Sequence, residues 1–92
     1  MDEFYPSSLV ESMAGRDKDR YFIVLAVEDE QYVAISDGKM RKTDHPKRKK
    51  KKHLKALGRS SELIAQKLRD GQRITNNELK TAIAELTAQQ GE

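Results

Sequence analysis

Apolar residues in the first half of the chain fall in short runs of strand character. Ser8 to Met13, SLVESM, is a β-compatible stretch ended by Gly15, and the charged turn Arg16-Asp17-Lys18-Asp19-Arg20 follows. Tyr21 to Val27, YFIVLAV, is rich in β-branched and aromatic residues and bounded by charge. At that length it fits a buried strand better than a helix. Both its faces are apolar, so alternation does not say which one meets the core. Glu28-Asp29-Glu30 makes a polar tip, and Gln31 to Ser36, QYVAIS, reads as the returning strand of a hairpin. Asp37-Gly38 is the next turn signal, because both residues accept the positive φ of a type I′ turn. A short third strand, Lys39 to Lys42, is expected after it, broken by Asp44-His45-Pro46 because Pro gives no N–H to a ladder. His53 to Leu57 reads as a closing strand that Gly58 ends. Short strands joined by tight turns predict a small five-stranded barrel, in which closure removes exposed edges.

After Gly58 the period changes. A first helix is expected from Ser61 to Asp70, with Leu63, Ile64 and Leu68 on one side and Gly71 as its stop. A second carries a stronger signature. Thr75 and Glu78 fit a capping box, Ile74 and Leu79 fit a hydrophobic staple, and Leu79, Ala82, Ile83 and Leu86 follow helical spacing. Short helices are marginal alone, so the pair is expected to dock on each other or on the barrel. The fold class is therefore mainly β with a helical tail. Residues 1–59 form the barrel, with a basic arm at 39–55, and residues 60–92 a helical hairpin packed on the barrel or a partner.

Charge sharpens this picture. Apolar residues make up 36% of the chain and charged residues another 36%, lean for a globular domain, but the apolar ones cluster. The net charge of +3 hides an asymmetry: eleven of the eighteen Lys and Arg, but one of the fifteen acids, lie between Lys39 and Arg59. That segment carries +10 and the remainder −7. A basic patch on an acidic body points to a polyanionic partner; the plainer reading is a solvated loop. There is no Cys, which excludes disulfides, Cys-ligated zinc and thiol chemistry. The acidic start MDEFYPSS lacks a signal peptide's apolar region, and no apolar run approaches a membrane span. A soluble, cytoplasmic protein is expected.

Catalytic constellations are missing from the pattern. His45 and His53 flank the lysine run without metal-ligand spacing, and no phosphate-binding glycine loop or nucleophile elbow occurs. Glu28, Asp29 and Glu30 read as a solvated turn rather than an acid/base pair. No enzyme, cofactor, metal or small-molecule substrate is expected.

AGRDKDRYFIVLAV, then YVAISDGKMRK, then HPKRKKKKHLKAL resemble, in that order and spacing, the KOW-domain proteins. The likeness is to the KOW-containing large-subunit ribosomal proteins of archaea and eukaryotes, and still more to the small KOW-domain RNA-binding proteins of bacteria. It covers residues 9–58. The resemblance implies an SH3-like β-barrel that binds structured RNA, chiefly ribosomal RNA, in association with the ribosome or translation. Ribosomal proteins are further candidate partners. Carried over by position, the first turn contributes Arg16, Lys18 and Arg20 to RNA contact. The basic arm contributes Lys39, Arg41, Lys42, Lys47, Arg48, Lys49, Lys50, Lys51, Lys52, His53 and Lys55. Gly15, Asp19 and Gly38 are the turn-forming positions. The family commonly has Gly where this chain has Asp19, and Asp tolerates the left-handed conformation at a cost of order 1 kcal/mol.

Lysines of such an arm would neutralise phosphates and release counterions. Meeting about six phosphates gives a slope of log K against log salt of roughly −4 to −5. Lysine is a point charge, so the run supplies affinity more than choice, and RNA shape supplies specificity. Arg16, Arg20, Arg41 and Arg48 are the candidates for forked contacts, although Arg20 equally suits a pair with Asp17 or Asp19. Tyr5, Tyr21 and Tyr32 offer stacking faces, with packing the commoner role for the last two. Replacing Lys49 to Lys52 with Glu is expected to abolish RNA binding and leave the barrel folded. The competing reading is a protein-interaction adapter that uses the C-terminal helices, its basic arm meeting an acidic protein.

Overall fold

The structure, a computed structural model, describes residues 3–88. The outermost residues of the two expected segments, 1–2 and 89–92, lie outside the described residues. The strands are β1 (Ser8–Ser12), β2 (Tyr21–Val27), β3 (Tyr32–Ser36), β4 (Lys47–Lys50) and β5 (Leu54–Ser60), followed by helices α1 (Glu62–Arg69) and α2 (Asn76–Ala88). One 3-10 turn, Lys51–His53, links β4 to β5. The fold is thus mainly β with a helical tail.

All strand pairs are antiparallel, in the order β4-β3-β2-β1-β5. The sheet is open, which corrects the expected barrel: β4 and β5 are its two edges and exchange no ladder. The chain crosses from one edge to the other through the 3-10 turn instead of pairing them. Two irregularities bend the sheet. One lies in β2 between Val24 and Ala26, the other in β5 opposite Ser8 to Val10. The second corrects the end expected at Gly58. That residue takes a φ of 71° inside β5, and the strand runs on to Ser60.

Both faces of the sheet are covered around β1 and the first half of β2, which explains why β2 is apolar on both sides. Val10, Phe22, Val24, Val33, Ile35 and Leu54 pack together on one face. On the other, Leu9 and Ile23 meet Ile64 of α1 and Leu79 and Ala82 of α2, with Ile74 beside them. Burial of side chains this size is the main stabilising term, about 1.5–3 kcal/mol each when complete. Leu63, expected on the buried side of α1, is 51% exposed. Ile64 and Leu68 supply the apolar face of α1 without it.

Local signals set the helix starts. The Ser61 hydroxyl accepts the Ile64 N–H at 3.2 Å as the cap of α1. The Thr75 N–H donates to the Glu78 carboxylate at 2.9 Å, and the Glu78 N–H donates to the Thr75 hydroxyl at 3.1 Å. This is the reciprocal capping box, and Ile74 and Leu79 are both buried beside it.

The expected strand at Lys39–Lys42 is not formed. One oxygen of Asp37 accepts the N–H groups of Lys39 and Arg41, both at 2.9 Å. The Arg41 carbonyl accepts in turn from Asp37 and Gly38, at 3.0 and 3.1 Å. These bonds curl the segment into a closed loop. The loop is clipped to α2 where the Thr43 N–H donates to the Asn76 side-chain oxygen at 2.8 Å.

Candidate nucleic-acid interface

The lysine run is not an arm. Its first four residues are strand β4, paired to β3 with Ile35 opposite Lys47, Val33 opposite Lys49 and Tyr32 opposite Lys50. Side chains alternate across a strand, and directly paired residues share a face. Lys47 and Lys49 therefore point to the side of Val33 and Ile35, and Arg48 and Lys50 to the side of Tyr32.

The inward pair meets the first turn. Lys49 is 9% exposed, and its ammonium donates to the Ala14 carbonyl at 3.2 Å. The Lys47 ammonium donates to the Asp17 carboxylate, also at 3.2 Å, and the Arg41 guanidinium approaches the same oxygen at 3.6 Å. Asp17 is 1% exposed. Burial pushes its carboxyl up, but the hydrogen bond from Lys47 and the charges of Lys47, Arg41 and Lys49 outweigh burial and hold it below the usual range. Burial and the Lys47 charge lower Lys49, against the opposing pull of Asp17. The Arg41 Nε is buried without a hydrogen-bond partner. Two of the residues carried over as RNA contacts, Arg41 and Lys47, thus pair with a buried acid, and a third, Lys49, is buried beside them on the Ala14 carbonyl.

Arg16, Lys18 and Arg20 of the turn are exposed, as are Lys39 and Lys42 of the next loop. Asp19 takes the left-handed φ of 70°, as expected at the position where the KOW resemblance has Gly, and Gly15 (83°) and Gly38 (76°) are also left-handed. The Asp19 N–H donates to the Ser12 carbonyl at 2.8 Å, which closes the turn. Asp17 pairs with Lys47 and Arg41, the two partners that close on it from β4 and the 37–43 loop.

The outward side of β3 and β4 has a different character. The Arg48 guanidinium lies over the Tyr32 ring, 3.6 Å from its centroid, and its Nε donates to Glu28 at 2.7 Å. Lys50 stands 5.8 Å from the same ring. Asp29 positions Tyr32: its carboxylate accepts the N–H groups of Gln31 and Tyr32, both at 2.8 Å, and these bonds lower its pKa. The acidic tip is thus a hairpin-forming turn. Beside it Lys50, Lys51 and Lys52 line a shallow hollow of about 340 Å³ with Glu30 and Gln31. Lys52 and Lys55 are exposed, and Lys51 lies 5.9 Å from the Phe4 ring. His53 is half-buried at the end of the 3-10 turn, its carbonyl bound by the Met13 N–H at 2.8 Å.

Neither the role of Asp17 as a buried counter-ion nor that of Glu28 as the partner of Arg48 is legible in the sequence. Both relationships join residues twenty or more positions apart, 30 in the Asp17–Lys47 pair and 20 in the Glu28–Arg48 pair. The open stacking geometry of Arg48 on Tyr32 was legible only as two candidate residue types. The chain matches no protein-family model and no curated protein. Among the described residues, no helix is long and apolar enough to cross a membrane.

Proposed function

We propose that this chain binds structured RNA, chiefly ribosomal RNA, in association with the ribosome or translation, as its resemblance to the KOW proteins implies. The observation that carries the reading is the outward side of the lysine run. Arg48 and Lys50 stand around Tyr32, with Lys51 and Lys52 directly following, and Lys55 lies beyond the 3-10 turn on the opposite edge strand, across from Glu11. Lysines there meet phosphates as point charges, and a guanidinium plane held on a ring offers a flat face to an unstacked base. Arg41, Lys47 and Lys49 act beneath this surface as its support. The adapter reading has less to use, because Leu79, Ala82, Ile83 and Leu86 of α2 are already packed on the chain's own sheet.

The test replaces Lys50, Lys52 and Lys55 with Ala. Filter binding to ribosomal RNA is expected to weaken at least about tenfold at moderate salt, and the slope of log K against log salt to become shallower by about 2. The circular dichroism melt should stay near that of the parent protein. Unchanged affinity in a folded triple variant overturns the proposal.

A further inference from the structure

A second groove lies away from the lysine strand. The turn at Asp19-Arg20-Tyr21, the loop at Asp37 and Lys39, and the α2 residues Lys80, Ile83 and Ala84 line an open groove of about 430 Å³. That is within the roughly 300–1,000 Å³ typical of small-ligand sites. Arg20, Lys39 and Lys80 come from three separate elements, and all three are exposed. Two acids line the same groove, but Asp37 is buried and one of its oxygens already accepts two backbone N–H groups. Asp19 alone is an exposed acid there. Tyr21 and Ile83 are half-buried against the core, and what remains open of them lines the groove with the exposed Ala84.

We infer that this groove takes a single unstacked nucleotide of the bound RNA, its base against Tyr21, Ile83 and Ala84 and its phosphate among Arg20, Lys39 and Lys80. The inference rests on the RNA-binding reading and adds to it a role for the helical tail. A nucleotide suits the groove better than an acidic peptide because it joins a planar apolar face to a compact anion, the two chemistries that the lining offers. The 37–43 loop that carries Lys39 is tied to the start of α2, which carries Lys80, through Thr43 and Asn76.

The experiment uses the full chain, labelled with ¹⁵N, and two RNA hairpins that differ only by one bulged adenosine. Adenosine monophosphate is expected to shift the amide signals of Tyr21, Ile83 and Ala84, and adenosine without its phosphate to shift them less. Ala84→Glu, at an exposed helical position, should abolish both effects. Lys80→Ala should weaken binding of the bulged hairpin at least about fivefold and change the fully paired hairpin by less than about twofold. Equal losses on both hairpins would make Lys80 part of a general basic field and overturn the inference, as would no loss on either. So would a hexaglutamate peptide that moves the groove signals where the nucleotide moves none. If the hairpins bind without preference for the bulge, the groove inference falls and the RNA reading stands. If the nucleotide occupies the groove but neither hairpin binds, the RNA reading falls and a nucleotide site stands.

Discussion

Asp17 and Lys47 meet at 3.2 Å although thirty positions separate them, and the acid is almost wholly shielded from water. Their contact fastens the first turn to the edge strand β4. Arg41 reaches the same carboxylate from the neighbouring loop. One buried acid therefore gathers three segments of the chain.

Asp17→Asn removes the charge and leaves Arg41, Lys47 and Lys49 facing one another. Arg41 and Lys47 are about a third exposed, so water screens the stranded charges and the cost is about 1–3 kcal/mol, below that of a fully buried pair. A urea unfolding midpoint should fall accordingly. The pH dependence has a definite sign. The folded-state pKa of Asp17 is below its ordinary value, so its contribution is fully present above about pH 4 and is lost as pH falls through the lowered pKa. Acid titration of the Asn variant should lack that part of the loss.

Lys49 separates stability from binding. Lys49→Met keeps an unbranched apolar stem in the core-facing position and removes a cation pushed against Lys47. Its melting temperature is expected to match or exceed the parent's, as for buried ions replaced by apolar groups of like volume. Lys49→Glu sets a carboxylate near Asp17 and should cost about 3–5 kcal/mol. Because Lys49 is buried, a variant with Glu at all of Lys49 to Lys52 is expected to lose stability as well as binding. Thermal melts of the two single variants check this.

Glycine substitutions should differ sharply by position. A Cβ on Gly38 would lie 2.2 Å from the Asn76 carbonyl oxygen, and the residue also has positive φ. Gly58 has positive φ but nothing within 4 Å. Gly58→Ala is expected to cost about 1 kcal/mol, the left-handed penalty alone. Gly38→Ala should cost several times that, because backbone must move, and equal losses on chemical denaturation would refute the close approach.

Tyr32 tests the stacking surface directly. Tyr32→Ala removes the ring that holds the Arg48 guanidinium flat and should weaken binding to an RNA loop by about 1 kcal/mol, the scale of an exposed cation–π contact. Tyr32→Phe keeps the ring under Arg48 and should bind nearly as the parent does. Fluorescence anisotropy with a labelled hairpin loop distinguishes them.

What could be read from the chain followed from range. The β2 strand and the capping box of α2 are local patterns, and both occur at the expected residues. The 39–42 loop was misread as a strand because the Asp37 carboxylate and the distant Asn76 decide its shape. β4 was hidden for another reason. Its strand character lies in pairing with Tyr32 to Ile35, and a uniform run of cations shows no alternation of apolar and polar types. The open sheet was equally hidden, since strand count alone does not say whether the edges join.

The alternation along β4 has an evolutionary consequence. Lys47 and Lys49 face inward while Arg48 and Lys50 face outward. Gaining or losing one residue ahead of Arg48 would leave composition and charge density almost untouched, yet it would exchange the two sides from that point on. Arg48 would then leave Tyr32, and Asp17 would lose its partner. The fold therefore constrains the length of the run more tightly than its basicity, and single-residue insertions there should be tolerated far less than Lys-to-Arg exchanges.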